Sequence, residues 1–213
     1  MFPTAVKIIS ALLAAYFLGA FPTAFLLGKL FKKIDIRQFG SGNVGATNAF
    51  RVLGKLPGVM VLLIDILKGV LCATLIAGVF EQTSLLARIL LGAAAVAGHV
   101  WSVFLRFKGG KGMATSLGVL LGLAIGIPLV RPVLFLSVAV WIVVFVLSGI
   151  VSFASIISAV AFPVFTVAFC APLELVIMSV ALCVLVTLRH HSNLSRLIRR
   201  EEPRVFTPFF IKR

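Results

Sequence analysis

The sequence predicts an all-α membrane protein, a bundle of seven transmembrane helices with partly re-entrant loops on its cytoplasmic side. Three observations carry that expectation. Of 213 residues, 61% are hydrophobic and only 12% charged, with mean hydropathy +1.19, and a soluble domain of this size cannot hide so much apolar surface. Seven apolar runs follow one another, each near the ~20 residues that cross a bilayer as a helix. The basic residues fall almost wholly on alternate loops between them.

The runs cover residues 7–28, 56–80, 85–105, 113–130, 132–148, 154–171 and 173–188. The first is too long for the hydrophobic region of a typical signal peptide, so no cleavable leader is expected. The last four are short, which suits a compact bundle with some helices ending below the membrane surface. Pro128 and Pro132 blur the start of the fifth. Within the second run, Asp65 and Lys68 stand three apart, a spacing that lets them meet on one helix face. Mutual neutralisation that holds the helix in the bundle is the expectation for them, with a functional role as the alternative.

With seven spans, the first, third and fifth loops and the C-terminus share one side. That side carries Lys29, Lys32, Lys33, Arg37, Arg51 and Lys55, then Arg106, Lys108 and Lys111. It also carries Arg189, Arg196, Arg199, Arg200, Arg204, Lys212 and Arg213, which makes sixteen of the twenty basic residues. Only Lys7, Arg88 and Arg131 lie opposite, and Lys68 is inside a span. Positive loops stay in the cytoplasm, so the N-terminus is expected outside and the C-terminus inside. The chain then reads as a single integral-membrane domain, 1–213, with a basic cytoplasmic tail at 189–213. Nucleic acid is excluded as the partner of this charge, because the basic residues border apolar spans instead of forming one solvated face. Cys72, Cys170 and Cys183 sit in apolar runs without metal-ligand spacing and are expected as buried free thiols. No set of His, Cys, Asp and Glu suggests a metal.

The stretches that could carry chemistry all fall on the basic side. Residues 106–115 place Gly109, Gly110 and Gly112 around Lys108 and Lys111, just before the fourth apolar run. Glycines let backbone N–H groups approach a ligand, and a helix start adds partial positive charge, so the combination suits a phosphate. A flexible basic loop touching lipid head groups is the plainer alternative. A nucleotide P-loop is ruled out, since no Gly-Lys-Ser or Gly-Lys-Thr follows a strand. In the first loop, Ser41, Asn43, Asn48 and Arg51 are interleaved with glycine and alanine. Such a segment can fold back into the bundle while satisfying its backbone. Ser152 lies in a serine-rich turn at 148–155 that would otherwise be read as helix capping. His190, Asn193 and Arg196 lie where the last helix meets the cytoplasm, with Leu194, Leu197 and Ile198 suited to a surface anchor. His99, two turns before the glycine–lysine loop, is expected to be a satisfied structural histidine.

The segments GSGNVGATNAFR at 40–51 and GHVWSVFLRFKGGKGMAT at 98–115 resemble the bacterial membrane acyltransferases that use acyl-phosphate as donor and glycerol 3-phosphate as acceptor. The resemblance extends over the chain in length, apolar runs and basic loops. It departs at Ser102, where proline is usual, at Gly149-Ile150, where Arg-Tyr is usual, and at Ala20 and Ala24 around Pro22. It implies transfer of a fatty acyl group to the C1 hydroxyl of sn-glycerol 3-phosphate, giving lysophosphatidic acid and phosphate, the first acylation of phospholipid synthesis. It implies no cofactor, a bacterial inner-membrane location with the active site facing the cytoplasm, and three kinds of partner: the two substrates, membrane lipid, and the enzyme that makes acyl-phosphate. Carried over by motif, Ser41, Lys111, Ser152, His190 and Asn193 become catalytic candidates. Asn43, Asn48, Arg51, Lys108, Gly109, Gly110 and Gly112 become substrate- or phosphate-binding candidates.

Chemistry agrees with what the resemblance implies. Two phosphorylated substrates need several cations, and an oxyanion needs donors already oriented. Acyl-phosphate is activated, so orienting the hydroxyl against its carbonyl needs no acyl-enzyme. A histidine followed five residues later by aspartate is not available, since Phe104, Ser195 and Arg196 follow His99, His190 and His191 at that distance. A small transporter or flippase for phosphorylated solutes is the rival class. It would need polar residues through the depth of the bundle, and beyond Asp65 and Lys68 these are scarce.

Overall fold

The computed structural model describes residues 4–207, and every regular element among them is helical. Lys212 and Arg213 of the basic tail lie outside the described residues. The chain forms two compact units, Met1–Ile127 and Pro128–Arg213.

In the first unit, α1 (Thr4–Ala20) and α2 (Thr23–Lys32) form one apolar run interrupted at Phe21-Pro22. Proline removes a backbone donor and disfavours helical geometry in the residue before it. After a 3-10 turn at Ile36–Gln38 come the short α3 (Ala46–Leu53) and α4 (Lys55–Leu71). The latter runs through a π-helical turn, Cys72–Ile76, into α5 (Ala77–Val79), and at that widened turn Arg88 Nη1 donates to the Ala73 carbonyl at 3.1 Å. Ser84 caps α6 (Leu85–Val100) by accepting the Ala87 N–H at 3.2 Å. A 3-10 turn at Val103–Leu105 then leads to α7 (Met113–Gly126).

Two close crossings hold this unit, α1 against α6 and α4 against α7. In the first, Gly19 meets the Ala95 backbone and Gly98 the Tyr16 carbonyl. In the second, Gly69 meets the Thr115 carbonyl and Gly118 that of Ile66. A Cβ at any of the four would overlap backbone of the facing helix. Lipid supplies little hydrophobic drive between helices, so backbone approach at small residues does the packing.

The second unit contains α8 (Val130–Ser148), α9 (Val151–Ala168), α10 (Leu173–Arg189) and α11 (His191–Ile198). Helix α9 packs against both α8 and α10, and α11 folds back onto α9. Pro132 does not delay α8, which starts at Val130, because a proline in the first turn withholds an N–H that has no intrahelical acceptor anyway.

Of the seven expected spans, of which the last four are short, five or six are long and apolar enough among the described residues to cross a membrane. Thr4–Lys32, Lys55–Val79, Leu85–Leu105, Val130–Ser148 and Val151–Ala168 are each long and apolar enough to cross a membrane. A sixth arises if α10 and α11 count as one span bent by 62°. The expected run at 113–130 stops at Gly126, since Ile127 is extended and Pro128 follows. Its 14 residues reach about 21 Å at 1.5 Å each, short of a ~30 Å hydrocarbon core. The cysteines also differ from expectation: all three are free, but only Cys72 is buried and Cys170 is exposed.

Candidate active site

The first loop is built by side chains that hold its own backbone. Asp35 caps the 3-10 turn by accepting the Arg37 N–H at 3.1 Å, and the Arg37 guanidinium grips the same carboxylate at 2.6–3.2 Å. That pairing with Arg37 lowers the Asp35 carboxyl to about 2. Asn48, 2% exposed, accepts the Ser41 N–H through Oδ1 at 2.9 Å and donates through Nδ2 to the Phe39 carbonyl at 3.1 Å. Of the predicted binding residues, Asn48 is therefore the clamp that shapes the Gly40–Gly42 turn. Ser41 itself is exposed, and Asn43 is half-buried with its side-chain oxygen beside Gly45. Arg51 lies exposed in the last turn of α3, on the same face as the exposed Thr47 four residues before it.

The glycine–lysine loop is reached through two consecutive left-handed residues, Arg106 (φ 53) and Phe107 (φ 62). Non-glycine residues occupy that region at a cost, which functional segments often carry. Gly109 N–H donates to the Val100 carbonyl and Gly110 N–H to that of His99, both at 3.0 Å. A Cβ on Gly109 would overlap the His99 carbonyl, and one on Gly110 would collide with His99 Nε2. Lys108 is exposed and Lys111 half-buried, while Gly112 (φ 83) is the N-cap of α7. Ser116 N–H bonds Gly112 O at 2.8 Å, so the three N–H groups before it are those a helix start leaves without an intrahelical acceptor. Beside them the Thr115 and Ser116 hydroxyls are buried with no hydrogen-bond partner among the described residues. Cations, outward backbone donors and buried hydroxyls at one helix start form a polar place for an anion.

Ser102, the departure from proline, is 1% exposed and donates to the Ala20 carbonyl at 2.5 Å. It closes the end of α1 where Pro22 prevents the helix from doing so.

In the second unit, Glu202 gathers the predicted residues. Its Oε1 accepts from Ser152 Oγ at 2.7 Å and Asn193 Nδ2 at 2.5 Å, and its Oε2 accepts from Arg196 Nε at 2.7 Å. Burial pushes this carboxyl up, but the hydrogen bonds from Ser152, Asn193 and Arg196 outweigh it and hold it below its ordinary value. His190, 4% exposed, sets Nδ1 2.8 Å from the Val186 carbonyl. A carbonyl can only accept, so Nδ1 carries the proton in that bond. Beside Glu202 lies a cavity of about 320 Å³, lined by Ile150, Leu197, Arg200, Glu202 and Arg204. The Arg204 guanidinium donates to the Ser148 carbonyl at 3.2 Å and the Val205 N–H to Gly149 O at 2.7 Å, so the chain after α11 is bound to the turn before Ser152.

Glu202 escaped the sequence reading. Its signal was present, as one of only six acidic residues, placed in a basic tail just before Pro203. Among the described residues no group of three His, Cys, Asp or Glu converges to hold a metal ion.

A sequence model for glycerol-3-phosphate acyltransferases matches residues 9–200. The chain belongs to that family. The glycerol-3-phosphate acyltransferase of Macrococcus caseolyticus is 43% identical over 195 residues, covering 91% of this chain and 95% of that one. The Staphylococcus aureus (strain Newman) glycerol-3-phosphate acyltransferase is 40% identical over 207 residues, covering 93% and 98%. Among solved structures, the integral membrane glycerol 3-phosphate acyltransferase PlsY in its glycerol 3-phosphate form superposes with a TM-score of 0.84 at 36% identity, over 94% of this chain and 96% of that one. PlsY in its lysophosphatidic acid form gives a TM-score of 0.80 over the same shares. This glycerol-3-phosphate acyltransferase is thus an all-helical, multi-pass integral membrane enzyme with the PlsY-like fold.

Proposed function

We propose that the enzyme acylates the C1 hydroxyl of glycerol 3-phosphate with acyl-phosphate as donor, releasing lysophosphatidic acid and phosphate at the cytoplasmic face of the bacterial membrane. One observation carries the reading: the glycine–lysine loop opens onto the start of α7, where Thr115 and Ser116 keep buried hydroxyls without partners among the described residues. A phosphate ester supplies the acceptor oxygens such a place calls for. PlsY, at 36% identity, holds glycerol 3-phosphate in one structure and lysophosphatidic acid in another.

In this reading Lys111, Lys108 and the N–H groups at the start of α7 bind phosphate oxygens and the developing oxyanion, while Gly109 and Gly110, whose own N–H groups are taken by the Val100 and His99 carbonyls, shape the loop together with Gly112. Arg51 adds a third cation, Ser41 and Asn43 add hydrogen bonds, and Asn48 keeps their loop in shape. Ser152, His190 and Asn193 are the catalytic candidates of the second unit, where Glu202 holds Ser152 and Asn193. The glycerol oxygen forms a bond to the acyl carbon as the bond from that carbon to the phosphate oxygen breaks. The hydroxyl proton passes to a phosphate oxygen or to His190. Preorganised donors and an activated donor substrate together supply the rate. The basic side of the chain, sixteen of its twenty lysines and arginines, supports a cytoplasmic site with the N-terminus outside. That arrangement has seven passages, with the short α7 as the fourth.

Purified enzyme given acyl-phosphate and glycerol 3-phosphate should release one phosphate for each lysophosphatidic acid formed. Excess chelator should leave the rate unchanged, and acyl-coenzyme A should not replace the donor. Turnover with acyl-coenzyme A alone would overturn the donor assignment.

A further inference from the structure

Asp65, Lys68 and His99 are 1%, 3% and 8% exposed and have no part in the reaction as written. Asp65 Oδ1 accepts from Lys68 Nζ at 2.7 Å and from Thr23 Oγ1 at 3.0 Å, and it lies 3.9 Å from His99 Nδ1. Lys68 Nζ also donates to the Phe21 carbonyl at 2.6 Å and sits 5.7 Å from the centre of the Phe21 ring. One carboxylate thereby ties α2 to α4 and lies beside the His99 ring of α6.

A buried ion pair is a weak way to hold helices, because stripping water from both charges offsets most of their attraction. Lys68 alone would neutralise Asp65, so neutralisation leaves the approach of His99 unexplained. The imidazole faces two ways. Its Nδ1 edge faces Asp65, and its Nε2 edge lies so close to Gly110 that no Cβ fits between them. The His99 carbonyl takes the Gly110 N–H, the neighbouring Val100 carbonyl takes that of Gly109, and Lys111 is the next residue. A segment of three glycines in four residues has many conformations of its own. Something rigid must select one, and the ring and carbonyls of 99–100 are what it is laid against.

We propose that Asp65 and His99 are positioning residues for the acyl-transfer site. The carboxylate holds the imidazole in one orientation, the imidazole is the wall that seats Gly109 and Gly110, and the wall sets where the Lys111 ammonium stands. The proposal rests on the reading of Lys111 as a ligand of substrate phosphate. It gives the intramembrane pair a task in substrate affinity, and it makes glycine at 110 a requirement of the histidine beside it.

The test uses purified full-length enzyme, thermal stability in detergent, and separate KM and kcat values for glycerol 3-phosphate. His99→Asn keeps a donor facing Asp65 but withdraws the ring edge from Gly110. It should raise KM about ten-fold, as expected for a misplaced ligand-binding group, with the melting temperature little changed. Asp65→Leu/Lys68→Met removes both charges together, so neither is left buried alone, and it should raise KM similarly. Gly110→Ala should be nearly inactive, and His99→Ala/Gly110→Ala should recover part of that loss because the vacated space admits the methyl. Folded His99→Asn and Asp65→Leu/Lys68→Met enzymes with wild-type KM and kcat would overturn the proposal. So would changes confined to melting temperature. Lys111→Ala runs in parallel: wild-type kinetics there would sink the phosphate-ligand reading and the positioning proposal with it.

Discussion

The Ser152 hydroxyl donates to Glu202 Oε1 at 2.7 Å, joining the first turn of α9 to a chain segment fifty residues later. The same carboxylate holds the Asn193 amide and Arg196, so one acid orients two candidate catalytic side chains. Glu202→Ala removes all three bonds at once, and bonds to a charged group contribute about 1.5–3 kcal/mol where well formed. It should lower turnover at least ten-fold and reduce the yield of folded protein. Glu202→Gln keeps an acceptor for Ser152 and should retain more of both.

The same carboxyl makes a prediction about pH. Its folded value lies below the ordinary 4.5. Its contribution is therefore complete above pH 4.5 and is lost as pH falls through the folded value. Melting temperatures followed from pH 7 to pH 3 should fall more steeply for wild type than for Glu202→Gln below about pH 4.5. Parallel curves would show that Glu202 is not held ionised by its three donors.

Lys111→Ala should leave the protein inserted and folded, since a half-buried loop lysine adds little packing. Loss of a charge-assisted bond in a partly dry site costs roughly 2–4 kcal/mol, or about 30- to 1,000-fold in rate. Lys111→Arg should rescue poorly, because a planar guanidinium does not fit the space of a compact ammonium between glycines. Lys29→Ala, exposed in the last turn of α2, should stay within a few-fold of wild type. Normal turnover of Lys111→Ala at saturating substrates would reduce the loop to a head-group contact.

Gly118→Ala should separate α4 from α7, since its methyl meets the Ile66 carbonyl and that backbone cannot give way. Overpacking of this kind costs about 1–3 kcal/mol. Gly78→Ala has nothing within 4 Å of the added carbon and should be tolerated. Melting temperatures of the two variants in detergent should differ by several degrees in that order.

Topology can be tested by cysteine labelling, and exposed Cys170 has to be replaced by serine first. In that background a cysteine at Gln82 should react from outside intact cells and one at Ser195 should not. The reverse pattern would overturn a cytoplasmic active site.

Composition, apolar runs and charge placement are properties of the chain that need no partner, and they were enough to read a helical membrane protein. The long motifs at 40–51 and 98–115 were enough to read the family by resemblance, while their glycines, amides and cations taken alone left a basic loop touching head groups as an alternative. Span limits were less legible. Periodicity did not show that Ile127 would leave the helix after Gly126, that Pro132 would sit in a first turn, or that α10 and α11 would bend by 62°. The role of a polar side chain was legible only in part. Asn48 stood out as a binding residue, yet both ends of its amide are engaged by the backbone around Ser41. Glu202 read as a tail residue, and it became a hub only because the chain after α11 turns back to the start of α9. His99 read as a satisfied histidine, and nothing along the chain places its ring between Asp65 and Gly110. A hydrogen bond or an excluded Cβ is a relation between residues far apart in sequence. Its partners are chosen by helix packing, and that choice was made by the tertiary structure alone.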